Sequence, residues 1–225
     1  MVQNAQLEIA CFNPESALIA QEHGADRVEL CKGIAVGGTT PDFETVKHIR
    51  EKLSIDLYVM VRPRGGHFVY TDEEFQQMQA DIVALKQLNI DGFVFGILKD
   101  DKTINIEQNK MLVDLAKPIP CTFHRAFDEV ENAFESLEHI IACGFKTILT
   151  SGQTPNVMEG LHRLSELVKA ADNRIVIMPG GGLRSGNIEQ IQKNTQADFY
   201  HSSAITDGSE TASPTEVQAL KSKLQ

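Results

Sequence analysis

The sequence predicts an α/β fold, a single-domain (β/α)8 TIM barrel, on three observations. Short apolar runs rich in β-branched residues recur along the whole chain, segments with helical period separate them, and no linker rich in Ser, Pro or Gly breaks the alternation. An open doubly wound sheet is the rival, and it would carry a Gly-rich phosphate fingerprint after its first strand. Here the first strand runs into CFNPES, and no G-x-G-x-x-G occurs in the chain.

Taken in order, the candidate strands are LEIAC (7–11), RVEL (27–30), LYVMV (57–61), GFVFGIL (92–98), CTFH (121–124), TILTS (147–151), RIVIM (174–178) and DFYHS (198–202). The first helix opens at Asn13-Pro14 and stops before Gly24. The clearest helix covers 72–88: Thr71 and Glu74 match a capping box, and Phe75, Met78, Ile82 and Leu85 repeat on one face. Phe134, Leu137 and Ile141 form a further stripe that stops before Gly144. Residues 1–204 thus read as the barrel. The tail 205–225 begins with a polar stretch and ends in an amphipathic helix through Val217, Leu220 and Leu224, which completes the barrel or packs on a second subunit of a homo-oligomer.

Composition bounds the partners. The 225 residues carry 21 basic and 31 acidic side chains, a net charge of −10 that opposes nucleic acid and anionic membrane surfaces. No apolar run approaches the roughly 20 residues of a membrane span, and the opening MVQNAQLEIAC lacks the pattern of a secretory signal. Cys11, Cys31, Cys121 and Cys143 stand at wide, irregular spacing and read as reduced thiols, so the expected location is cytoplasmic.

The longest connections follow strands, at 31–41 and 62–71, which puts function at the carboxyl ends of the strands. Strand alternation then sorts the side chains there. Leu7 and Ile9 suit the helix layer, which sends Glu8 inward; Val28 and Leu30 send Arg27, Glu29 and Cys31 inward; Leu57, Val59 and Val61 leave Met60, Arg62 and Arg64 in the inward set. His124 shares parity with Thr122, and His201 comes from the last strand. Two readings stay open: a salt-bridge layer of Glu8 and Glu29 with Arg27 and Arg62 that fills the barrel, or a polar pocket. In the pocket reading Glu8, Glu29, Arg62, Arg64, His124, Asp128 and His201 are the candidate catalytic residues, with His124 or Glu29 as general acid or base and Asp128 orienting His124 or Arg125. The turn MPGGGLRSGNIEQI (178–191) and the segment YHSSA (200–204) offer glycine backbone donors. Arg62, Arg64, Arg125, Gly180, Gly181, Gly182 and Ser202 are accordingly the candidate binding residues for a small anion.

Read together, LEIAC, GADRVELC, GGTTPD, VRPRGGHF, TFHRAFD, LTSG, PGGGLR and YHSSA resemble the CutC family, from residue 7 to about 204 in the same order. His67 stands where the family pattern usually has Asp after RPRGG, and Phe199 stands where an acidic residue is common. The resemblance implies a cytoplasmic TIM barrel and a role in copper homeostasis with Cu(I) held by cysteines. Cys11 and Cys31, at the ends of neighbouring candidate strands, would be the ligands, with Met60 assisting the soft ion. Three functional readings therefore enter the structure: a Cu(I) protein, an enzyme acting on a small anionic metabolite by acid–base chemistry, and a non-catalytic scaffold.

Overall fold

The structure, a computed structural model, describes residues 5–224. Eight strands, β1 (Gln6–Cys11), β2 (Arg27–Leu30), β3 (Asp56–Met60), β4 (Gly92–Phe95), β5 (Cys121–Phe123), β6 (Thr147–Thr150), β7 (Val176–Pro179) and β8 (Phe199–Ser202), pair in parallel in the order β7-β6-β5-β4-β3-β2-β1-β8. A single parallel bridge between Gly180 and His201 joins the two ends of that sheet and closes the ring. Around it lie α1 (Pro14–Glu22), α2 (Phe43–Arg50), α3 (Asp72–Leu85), α4 (Ile106–Ala116), α5 (Ala133–Cys143), α6 (Leu161–Ala171), α7 (Ile188–Thr195) and α8 (Pro214–Leu224). The expected (β/α)8 barrel is what the chain forms.

Local chemistry sets the element ends. Asn13 caps α1 by accepting the Ser16 N–H at 2.8 Å, and Pro14 occupies the first turn, where its missing N–H costs nothing. Thr71 and Glu74 close a full capping box on α3. That helix ends at Leu85 and tightens into one 3-10 turn over Lys86–Leu88, short of a continuous helix to residue 88. The fourth strand also stops earlier than the apolar run GFVFGIL: the Asn109 side chain accepts the Ile97 N–H and donates to the Ile97 carbonyl, so those groups pair with α4 instead of a neighbouring strand.

Two apolar regions follow from the alternation. Leu7, Ile9, Cys11, Val28, Leu30, Leu57, Val59, Val61, Cys121 and Phe123 join the layer between strands and helices, together with Val217, Leu220 and Leu224 of α8. The tail helix thus sits in the helix layer, where Lys221 pairs with Asp26 at 2.7 Å. Inside the ring a small separate cluster holds Cys31, Tyr58, Met60 and Val94.

Lower in the barrel, Arg27 is sandwiched between the rings of Tyr58 and Phe199, each centroid 4.1 Å from the guanidinium carbon. Gly92 makes this possible, since a Cβ there would meet the Tyr58 ring at 2.3 Å. Phe199, the first residue of β8, is one face of that sandwich.

Candidate active site at the carboxyl ends of the strands

A line of charged and titratable groups climbs the barrel from the arginine sandwich. Arg27 Nε donates to Glu8 Oε2 at 2.5 Å, and Glu8 Oε1 lies 2.6 Å from His201 Nδ1. On its other side His201 Nε2 stands 3.7 Å from Glu29 Oε2. Strand register explains the line, because Glu8 pairs across β1 with both Arg27 of β2 and His201 of β8. All four side chains are buried.

Their environments drive the two carboxyls apart. Burial raises the Glu8 pKa, but the Arg27 charge and the His201 hydrogen bond overcome it and hold Glu8 at about 2. Burial opposes the charged form of His201 too, yet the bond and charge of Glu8 lift its pKa above the ordinary value. Glu29 has no such donor. Burial, aided by the Glu8 charge and only partly offset by His201 and Arg27, pushes it to about 7, and its Oε1 is sealed without a hydrogen-bond partner. Of the salt-bridge layer that alternation left open for Glu8, Glu29, Arg27 and Arg62, the described residues form the Glu8–Arg27 pair alone.

Above Glu29 opens a cavity of about 240 Å³ lined by Cys31, Met60, Arg62, His124, Arg125, Gly181, Gly182, Arg184, His201 and Ser202, among others. The Arg62 side chain is buried and donates to the carbonyls of Val36, Gly38 and Gly66, tying together the loops after β2 and β3, and among the described residues its charge faces no carboxylate. Arg184 reaches Ser202 Oγ at 3.1 Å and the Ile205 carbonyl at 3.0 Å, again with no acidic partner among the described residues. Arg125 donates to Asp128 at 2.8 Å and to Ser151 Oγ at 2.9 Å, and its guanidinium lies against Gly181, where a Cβ would meet its Cζ at 3.0 Å. Gly181 and Gly182 have φ of 106° and 71°, and among the described residues neither N–H finds an acceptor. Gly180 sits at the barrel seam and donates its N–H to the Thr150 carbonyl.

His124 is held differently from His201. Its Nδ1 accepts the Ala126 N–H at 3.3 Å, so the neutral ring carries its proton on Nε2, which is buried without a partner. Phe68 packs on the ring at 4.7 Å between centroids and also underlies Arg62. Burial, then the Arg62 charge, push His124 down to about 3. Asp128 orients Arg125 and not this histidine.

The structure does not bring Arg64 to the cavity. Beyond Met60 the strand ends and alternation lapses; Arg64 turns to Glu74 at 2.5 Å and stacks on Tyr70. The two cysteines part as well. Cys31 lines the cavity, whereas Cys11 belongs to the helix layer and donates to the Ile9 carbonyl at 3.4 Å. Burial, with the nearby Glu29 and Glu8 charges, pushes both thiols well above the usual range, so they remain protonated. Glu8, Glu29 and His201 present possible ligand atoms within 4.8 Å of one another. Both Glu8 oxygens are engaged, however, which leaves only Glu29 and His201 Nε2, fewer than the three protein ligands of a catalytic zinc site.

The family model described as CutC family matches residues 5–206. The chain belongs to the CutC family. It is 41% identical over 198 residues to the human copper homeostasis protein cutC homolog, covering 88% of this chain and 72% of that protein. It is 45% identical over 199 residues to the family protein CutC of Parabacteroides distasonis, covering 88% and 82%. The crystal structure of CutC from Streptococcus agalactiae superposes with a TM-score of 0.86 at 34% identity, over 90% of this chain and all of that one. Phosphoribosylanthranilate isomerase from Thermotoga maritima, at 14% identity and a TM-score of 0.64 over 98% of both chains, shares the barrel fold alone.

In this CutC barrel Arg184 is a cavity residue that sequence reasoning missed. It stands in the quoted motif PGGGLR, but it follows a glycine turn where no periodicity assigns a direction. Phe68 was missed for the same reason, lying in the loop after β3.

Proposed function

We propose that this CutC barrel binds a small anionic metabolite at the carboxyl-end cavity and exchanges a proton with it through Glu29. One observation carries the reading: Glu29, with a buried oxygen that has no hydrogen-bond partner, lines a cavity whose walls present Arg62 and Arg184 without carboxylate partners among the described residues. The arginines and the free Gly181 and Gly182 N–H groups attract and seat the anion. Glu29, shifted to about 7, is matched to proton transfer near neutrality, and the line His201–Glu8–Arg27 holds it from behind. In a chain of net charge −10, such a mouth favours small anions while the outer surface repels polyanions. The buried free cysteines fit a reducing cytoplasm, and among the described residues no helix is long and apolar enough to cross a membrane.

The test is thermal unfolding of the full chain with increasing inorganic phosphate. Phosphate should raise the unfolding temperature of the wild type, and Arg184→Met should remove that response. Equal curves with and without phosphate for the wild type would overturn the reading.

A second reading, Cu(I) handling, comes with the names of the relatives and is favoured by one contact geometry. Cys31 Sγ and Met60 Cε both approach Gly38, each 3.5 Å from where a Cβ there would stand, so two sulfur-bearing side chains converge at the cavity edge. Cys11, facing the helix layer, would have to leave its packing to join them. Anaerobic Cu(I) competition against a chelator decides: wild type and the Cys11→Ser/Cys31→Ser variant retaining equal copper would remove this reading.

A further inference from the structure

Two buried polar atoms in the cavity wall have complementary needs. Glu29 Oε1 is an acceptor without a donor, and His124 Nε2, in the tautomer fixed by the Ala126 N–H, is a donor without an acceptor. Glu29 lies in β2 and His124 follows β5, three strands apart in a ring of eight, and both residues line the one cavity. A third feature stands at the β7–β8 end, where among the described residues the Gly181 and Gly182 N–H groups find no acceptor and the Arg184 charge faces no carboxylate. A single ligand meets all three when it carries a phosphate at one end, a carbonyl oxygen for His124, and beside that carbonyl a carbon whose proton faces Glu29.

We infer that the site enolises a phosphorylated α-hydroxy aldehyde or ketone, with Glu29 as the base and neutral His124 as the hydrogen-bond donor to the carbonyl oxygen. This rests on the anion reading above and adds the reaction class.

The step balances without a co-reactant. The Glu29 carboxylate takes the proton from the carbon next to the carbonyl. The C–H electron pair becomes the new C=C bond, and the carbonyl π pair moves to oxygen, where the His124 Nε2–H stabilises it. The proton now on Glu29 returns to the neighbouring carbon while the hydroxyl proton passes to the other oxygen. An aldose is thereby exchanged for a ketose, with nothing oxidised or reduced overall.

A neutral imidazole suits this task, since a charged one would pair with Glu29 and quench the base. Burial and Arg62 keep the ring neutral. Phe68 on one ring face and the Ala126 N–H at Nδ1 fix its direction, so the donor is preorganised. Gly96 leaves the space, because a Cβ there would meet His124 Nδ1 at 2.9 Å.

The test compares two probes by calorimetry on the full chain: phosphoglycolohydroxamate, which mimics a phosphorylated enediolate, and glycerol 3-phosphate, which has the phosphate but no planar oxyanion. The hydroxamate should bind at least ~10²-fold tighter. That ratio should fall towards one in His124→Phe, which keeps a ring but no N–H, and in His124→Asn, which keeps an acceptor for the Ala126 N–H if the first variant misfolds. Equal binding of both probes to the wild type overturns the enolisation while leaving the anion site standing. Binding of neither removes the anion reading itself. An intact ratio in a folded His124 variant also overturns the assignment.

Discussion

His201 Nδ1 lies 2.6 Å from Glu8 Oε1, and both groups are buried in a barrel whose next charged neighbour below is Arg27. Glu8 is the only carboxylate within salt-bridge distance of that arginine among the described residues, at 2.5 Å. Glu8→Gln therefore leaves a buried guanidinium uncompensated, and we expect a stability loss of about 3–5 kcal/mol in urea unfolding. The double variant Glu8→Gln/Arg27→Met should regain much of it, because no buried charge then lacks a partner. A double variant as unstable as Glu8→Gln would contradict this account.

Acidification should cost stability in two stages. His124 falls to about 3 on folding from an ordinary value near 6.5, so the unfolded chain binds its proton first. Its contribution is complete above pH ~6.5 and is lost as pH falls, by up to about 1.4 kcal/mol per pH unit. Glu8, held at about 2, adds a second loss below pH ~4.5. Glu29 and His201 are both shifted upward and act in the opposite sense, so the quantity to read is a difference. Between pH 6.5 and 4.5 the urea midpoint of His124→Asn should move up relative to wild type; parallel curves would refute the buried neutral histidine.

The barrel was legible because each strand states its two faces in two-residue alternation, and that same alternation places Glu8, Glu29 and His201 inside. It fails where the strand stops. Arg62 and Arg64 share parity on paper, yet only Arg62 stays beside the cavity; four residues beyond Met60 the chain has turned, and the carboxylate that also closes the α3 capping box captures Arg64. Cys11 shows the limit from the other side: its parity with Leu7 and Ile9 holds, which keeps it apart from Cys31 despite the adjacency of β1 and β2. Arg184 and the lone donor on His124 are properties of loops and tautomers, set by three-dimensional neighbours that no local pattern encodes.

Gly92 carries a test of the interior stack. Its missing Cβ leaves the space that the Tyr58 ring fills, and Tyr58 in turn presses on Arg27. Gly92→Ala should lower stability by about 1–3 kcal/mol through overpacking. Combining it with Tyr58→Leu, which withdraws the ring, should make the two losses less than additive in a double-mutant cycle. Strict additivity would show that the alanine disturbs the backbone instead.

Asp128 links the cavity rim to the barrel, and its removal should separate binding from folding. Besides Arg125, it accepts from Thr150 Oγ1 at 2.5 Å, from the Ser151 N–H and hydroxyl at 3.1 Å and 3.0 Å, and from the Gln153 N–H at 3.1 Å. The Ser151 and Gln153 N–H groups on Oδ1 and Arg125 Nε on Oδ2 can only donate, so the NH2 group of Asp128→Asn meets an N–H at either oxygen's place, and the substitution withdraws the charge that holds Arg125 against Gly181. Losing one charge-assisted contact of this kind corresponds to roughly a tenfold weaker anion affinity. Phosphate binding by calorimetry should therefore fall about tenfold in Asp128→Asn, with a stability loss of about 1–3 kcal/mol alongside it. Arg184→Met provides the contrast: its side chain bonds only loop carbonyls and hydroxyls, so affinity should drop with little change in the unfolding midpoint. If Asp128→Asn loses stability yet binds phosphate as the wild type does, Arg125 braces the loop after β6 and takes no part in holding the anion.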